Sequence, residues 1–208
     1  MLATDDPRIP LCVPTWDEKE VFSLGGAYDK TIGFHIPAKH KFPDDFYSWL
    51  PRRFDDTKNP PYLVPEMLPI TTWEDNLRTR LTPEHWDRMR KYSYRAAGGS
   101  CEICGEKGVP YLECHEEWKF SEGPQKIQKL KKLIALCTLC HKAHHLGYAR
   151  RTGIYEEVIQ HIKKVNGWTD AQLGPALKEA EEICNERSQH KWTLDISWVY
   201  SPSGYRYV

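Results

Sequence analysis

The sequence predicts an α+β protein in two unequal units: a small N-terminal β-α-β module and a larger unit of helices around a cysteine-clamped hairpin. Three observations predict it. Two short apolar segments bracket one short helical segment over residues 9–36. Pro51, Pro60, Pro61, Pro65 and Pro69 punctuate the stretch 51–70 and suit an extended connector. Two Cys-x-x-Cys pairs, Cys101/Cys104 and Cys137/Cys140, frame a stretch long enough for a hairpin, with helical periodicity on both sides. The expected plan is a module over 1–50, a proline-rich linker over 51–70 and the main domain over 71–208.

Within the module, residues 9–14 read as a strand, 18–24 as a short helix with Asp17 as N-cap, and Gly25-Gly26 as its stop. Residues 32–36 read as the second strand, and 46–50 as an amphipathic turn covering the strands. After the linker, Thr82 is an N-cap with Pro83 at the first helical position and Glu84 in the first turn, ahead of an apolar row of Trp86, Met89 and Tyr92. His85 occupies the third position, so a reciprocal capping box is incomplete, and Gly98-Gly99 ends the helix just before Cys101. Beyond the cysteine frame, Ile154, Val158, Ile162 and Val165 mark a helix closed by Asn166-Gly167. Thr169 caps a further helix containing Pro175. The segment 191–200 alternates like a strand, with Trp192, Leu194, Ile196 and Trp198 on one side.

The totals narrow the function. A chain of 208 residues with 40% hydrophobic and 28% charged residues is that of a folding globular protein. No apolar run approaches the roughly 18–20 residues of a membrane span, and the start MLATDDPRIP lacks the pattern of a secretory signal, so a cytoplasmic protein without a membrane partner is expected. Seven cysteines, four of them paired, suit a reducing compartment with a metal better than a disulfide framework; Cys12, Cys114 and Cys184 stand apart. The formal net charge is zero, so only the placement of charge can attract a polyanion. Lys126, Lys129, Lys131, Lys132, Lys142, Arg150 and Arg151 fall in one stretch without an acidic residue, which reads either as a solvated face or as a set of phosphate contacts.

Four thiolates in two knuckles make the ligand set of a closed structural zinc. Such a site folds the chain and leaves no coordination position for chemistry, so any reaction centre must use other donors. The donors inside the frame are His115, Glu116, Glu117, His141, His144 and His145. On one continuous helix, His141 and His145 are four apart and share a face, with His144 turned away from His145. A hairpin strand through LECHEEW would bring His115, or its neighbour Glu116, across to that face. The histidines outside the frame, His35, His40, His85, His161 and His190, share no spacing and are assigned ordinary surface or core roles.

The assembly CEIC, LECHEEW and LIALCTLCHKAHHLGYA resembles the zinc-containing branch of HNH endonucleases, and the flanks TTWEDNLRTRLTPEHWDRMRK and HIKKVNGWT resemble those of a bacterial and phage subfamily, over residues 70–199. The resemblance implies a ββα-metal core with a four-cysteine structural zinc and a separate catalytic ion, Mg2+, Mn2+ or Ni2+. It places His115 as the first metal ligand, Glu116 where most members have the general-base His, and His141 and His145 as helix ligands. In a register shifted by one, His115 is the base and Cys114 stands at the ligand position; Glu117 is a further substitute for the base. Lys132 stands where the family has the base-orienting Asn. The N-terminal segment, through Val13-Pro14, Glu18-Lys19, Leu24-Gly25-Gly26, Asp29, Pro37, Phe46 and Trp49-Leu50-Pro51, resembles a small domain of unknown function in DNA-processing proteins of mobile elements, which implies association with nucleic-acid machinery.

The expected function is therefore metal-dependent DNA cleavage, with DNA as partner and the basic stretch on its phosphates. The alternatives are a zinc-stapled DNA-binding module without turnover, suggested by Glu116 and Lys132, and a zinc-stapled protein adaptor. Substrate structure and oligomeric state have no sequence signal.

Overall fold

The computed structural model describes residues 8–11, 13, 17–41, 45–46, 49, 63–107, 111–121 and 123–200. Its contacts divide the chain into two units, Met1–Asn59 and Pro60–Val208. Among the described residues, no helix is long and apolar enough to cross a membrane.

The first unit holds β1 (Ile9–Pro10), α1 (Glu18–Ser23), β2 (Ala27–Asp29) and β3 (Gly33–Ile36), with an antiparallel sheet in the order β1-β3-β2. The expected strand over 9–14 is shorter, with residues 12 and 14 outside the described set. β2 has no counterpart in the sequence expectation. It forms because Tyr28 pairs with Phe34 across the hairpin, ring centroids 5.0 Å apart. Gly26 is needed between α1 and β2, since a Cβ there would lie 2.5 Å from Val21 Cγ1. Asp17 stands at the N-cap position without a side-chain cap bond: its carboxylate instead accepts the Trp49 indole N–H at 2.8 Å, beside a core of Val21, Ile36 and Phe46. Of the turn over 46–50, Tyr47, Ser48 and Leu50 lie outside the described residues.

In the second unit, residues 63–69 are not a free connector. The prolines keep this stretch extended, but Leu63 is fully buried and is clamped by Asn166, which donates Nδ2–H to Leu63 O at 2.8 Å and accepts Leu63 N–H at 2.9 Å. Residues 51–62 of the expected linker lie outside the described residues. A 3₁₀ turn (Ile70–Thr72) and α2 (Leu77–Arg80) precede α3 (Pro83–Ala96), which starts as the capping pattern requires, Thr82 Oγ1 accepting from His85 N at 3.3 Å.

The centre is an antiparallel hairpin of β4 (Glu113–Phe120) and β5 (Ile127–Leu136), with β6 (Thr193–Asp195) parallel to β5 on its far side, so β4 is an edge strand. A bulge between Glu117 and Trp118 breaks the register. Both faces of β5 are covered. Ile134 and Leu136 pack under α4 (Thr138–Ala143), α5 (Leu146–Thr152) and α6 (Tyr155–Asn166), while Leu130 and Leu133 pack with Leu77, Met89 and Trp198. That explains the unbroken apolar run over 133–136 at the end of β5. α7 (Asp170–Ser188) opens with Thr169 N–H donating to Gln172 Oε1 at 3.0 Å. The closing segment is a strand only over Thr193–Asp195. Asp195 Oδ1 then accepts Ser197 N–H at 2.8 Å and turns the chain into a 3₁₀ segment (Ser197–Tyr200), so Trp192 and Trp198 part company. Trp192 meets Phe120 edge-on at 4.7 Å, and Trp198 enters the core of Leu77 and Met89.

Candidate metal centre

The two cysteine knuckles meet. Donor atoms of Cys101, Cys104, Cys137 and Cys140 all lie within 4.8 Å of one another, a set that can hold one metal ion such as zinc. Local geometry builds each knuckle. Gly105, at φ +72°, closes the first turn with its N–H on Cys101 O at 2.9 Å, a conformation that favours glycine. Cys137 caps α4, its sulfur accepting Cys140 N–H at 3.5 Å. Glu102 stitches the first knuckle to β5, its N–H donating to Ala135 O at 3.0 Å and its carboxylate accepting Ala135 N–H at 2.6 Å. The thiols perturb each other: the hydrogen bond with Cys101 draws Cys104 below the ordinary thiol range, and those with Cys101 and Cys104 push Cys140 above it. A cation that accepts four thiolates relieves this crowding.

His161, assigned an ordinary role from sequence, reaches this cluster from α6. Its Nε2 is 3.1 Å from Cys140 Sγ and 4.0 Å from Cys137 Sγ. Thiolates accept hydrogen bonds, so His161 is placed to donate to the cluster's sulfurs.

A second group of donors forms where β4 meets the chain after the second knuckle. Ligand nitrogens of His115, His141 and His145 lie within 4.8 Å of one another, and the Nε2 atoms of His141 and His145 are 3.1 Å apart. Nitrogens bound about 2.0–2.1 Å from one ion sit roughly this far apart. The helix expected to carry both histidines is not continuous. α4 ends at Ala143 with His144 as its C-cap, and His145 N–H bonds Lys142 O at 3.0 Å, a 3₁₀-type closure that still leaves both rings converging on His115.

Electrostatics prepare two of these rings as neutral ligands. Burial holds His141 below the ordinary imidazole range, and burial followed by the neighbouring His141 takes His145 to about 3. Glu113 Oε2 accepts from His141 Nδ1 at 2.5 Å and from Lys142 Nζ at 3.0 Å, and the His141 bond draws the carboxyl down to about 2. Because a carboxylate only accepts, the proton is on Nδ1 and the His141 Nε2 lone pair faces the other imidazoles.

His144, expected to face away from His145, is fully buried and stacks on His115 with ring centroids 4.5 Å apart. Its Nδ1 is 3.0 Å from Glu66 Oε2, and its Nε2 makes no hydrogen bond among the described residues. Glu66, His115 and His144 form a further set of donors within 4.8 Å, sharing His115 with the first. Nothing in the spacing singled out Glu66, which lies in the stretch read as linker.

Glu116 points to the other face of β4, as strand alternation requires, where its carboxylate accepts Leu77 N–H at 3.3 Å. Burial raises it to about 7, and burial likewise pushes Cys114 up to about 12. Since β4 is an edge strand, a cavity of about 180 Å³ wraps its free edge and is lined by His115, His141 and His145 from one face and Glu116 and Cys114 from the other. Glu117 is buried on the His115 side opposite Lys132, its register partner.

The basic stretch does not form one phosphate face. Lys132 is 2% exposed, which removes it from any surface contact. Lys129 pairs with Asp195 at 3.6 Å, Arg150 with Glu181 at 2.7 Å, and Lys126 sits 5.8 Å from the Trp192 ring. Lys131 lies at the bulge, half-buried. Acids remote in sequence supply the partners that the stretch itself lacks. Lys142 and Arg151 border the imidazoles, along a cleft of about 580 Å³ that also contains His141 and His145.

Comparison with family models, curated proteins and solved structures finds no match to this chain.

Proposed function

We propose that the second unit is a metal-dependent DNA endonuclease of the HNH type, with zinc at the four cysteines and a separate divalent ion at His115, His141 and His145. The observation carrying this reading is the pairing of a closed four-sulfur cluster with a three-imidazole cluster on one hairpin-and-helix element, the imidazoles opening onto a cavity and a cleft. That arrangement supports a ββα-metal core. The donor chemistry fits an ion: three nitrogens, one held in its ligand tautomer by Glu113, suit Ni2+ or Zn2+ better than Mg2+, which prefers oxygen. Bound there, the ion would polarise a scissile phosphate and stabilise the leaving oxygen.

Glu116 lies at the same cavity and, as a buried carboxylate, can accept a proton from an attacking water. Lys142 and Arg151 position the strand's phosphates beside the imidazoles. The N-terminal module, in this reading, tethers the chain to nucleic-acid machinery.

The test is nicking of supercoiled plasmid with Ni2+, Mn2+ or Mg2+. His115→Ala abolishes cutting while zinc content stays unchanged; cutting retained in that variant would refute the assignment. One observation favours a second reading, a zinc-stapled DNA-binding module without turnover: Glu116 is engaged with the backbone of α2. Salt-sensitive DNA binding with no cleavage under any of these metals would select it.

A further inference from the structure

We infer that the cleft beside the three imidazoles is a seat for one unpaired nucleotide, so that the substrate is DNA with a single-stranded segment at the cut. This rests on the endonuclease reading and adds the substrate class to it. The cleft, of about 580 Å³, lies within the size range of pockets that enclose a small organic ligand, roughly 300–1,000 Å³. It shares His141 and His145 with the candidate ion site, so whatever occupies it lies against that site.

One wall is apolar and exposed. Ile70 and Trp73 have 67% and 56% of their surface open to solvent and line the cleft together with Met67 and Leu68, so their apolar faces adjoin rather than lie scattered. They are held in place. Trp73 donates its indole N–H to Leu68 O at 3.1 Å, and Ile70 N–H donates to Ser188 Oγ at 3.1 Å, tying the 3₁₀ turn to α7. A fixed, exposed indole is a stacking platform rather than a collapsed core residue.

The other wall is cationic. Lys142 Nζ and the Arg151 guanidinium lie 5.0 and 5.2 Å from the Tyr148 ring centroid, and Tyr148 is itself 45% exposed. Lys142 is partly neutralised by Glu113 at 3.0 Å, whereas Arg151 has no acidic partner among the described residues. An aromatic platform facing cations matches one chemistry closely: a base on the indole and its phosphate on the guanidinium and ammonium. In a duplex the bases are stacked inside and only backbone and groove edges reach a protein, so Trp73 would have nothing to stack on. The occupant is therefore a base outside a duplex.

The test uses the zinc-loaded full chain without added divalent ion. Anisotropy reads its affinity for a labelled single-stranded oligonucleotide, the same oligonucleotide with an abasic position, and the matching blunt duplex. The single strand binds more tightly than the duplex. Trp73→Ala weakens single-strand binding on the order of tenfold, as loss of one base–aromatic stack requires, and leaves duplex binding unchanged, while Trp73→Phe retains most of it. The indole is exposed, so truncation spares the core, and unchanged zinc content confirms the fold. A Trp73→Ala variant with both affinities unaltered, or both lowered equally, overturns the nucleotide seat and leaves the endonuclease reading standing. Absence of binding to either form at low salt also overturns the nucleotide seat, while plasmid nicking with added divalent ion decides the endonuclease reading separately.

Discussion

Replacing Glu113 by glutamine tests whether His141 is a prepared metal ligand. Glu113 Oε2 lies 2.5 Å from His141 Nδ1 and 3.0 Å from Lys142 Nζ, and the carboxylate and imidazole side chains are only 29% and 16% exposed, so solvent screens the contact weakly. Glutamine keeps the shape and one acceptor oxygen but removes the charge. The charge-assisted bond that holds Nδ1–H, and with it the Nε2 lone pair, is weakened, and the new amide N–H₂ competes as a donor. Loss of such an orienting carboxylate costs about 10–100-fold in metal affinity, or roughly 1.4–2.7 kcal/mol. Calorimetric titration of Ni2+ into the zinc-loaded protein measures it, with His141→Ala as the reference for complete loss. Glu113 lies outside the cysteine cluster, so the zinc content of Glu113→Gln matches wild type. An unchanged nickel affinity in a variant that keeps its zinc would refute the reasoning.

Three further outcomes are expected. Stripping zinc with a chelator loosens the first knuckle and α4, because the four sulfurs tie the two knuckles to each other and, without the ion, leave buried thiols crowded in the core; the loss is read by circular dichroism and reversed by zinc, whose binding is worth about 10–16 kcal/mol in small structural sites. His161→Ala removes the imidazole 3.1 Å from Cys140 Sγ and weakens zinc retention about tenfold against a competing chelator; equal retention would show that contact to be idle. Asp17→Ala deprives the buried Trp49 indole of its 2.8 Å acceptor and destabilises the first unit by about 1–3 kcal/mol, seen as a lower melting transition for that unit alone.

Short-range chemistry was legible in the sequence. Thr82-Pro83 starts α3, Asn166-Gly167 stops α6 with Gly167 at φ +66°, and each Cys-x-x-Cys folds its own knuckle, because caps, turns and chelate loops are decided within a few residues. The rings of His141 and His145 come together even though the helix between them breaks, with His145 itself outside helical geometry at φ −133° and ψ 48°, so spacing named the right pair while the local backbone decided how they meet.

What the sequence by itself determined is the mixed α+β class, the four-sulfur clamp and the presence of imidazoles within it. Tertiary structure decided which groups those imidazoles meet. Glu66 reaches His144 across 78 positions of sequence, and His161 reaches Cys140 across 21. Asp195 and Glu181 engage Lys129 and Arg150, and β5 buries Lys132, so a run that looks uniformly basic along the chain is divided among several environments. The physical reason is range: backbone preferences act between neighbours in sequence, whereas ion pairing, burial and ligand convergence act between neighbours in space, and packing two faces of one hairpin chose those neighbours.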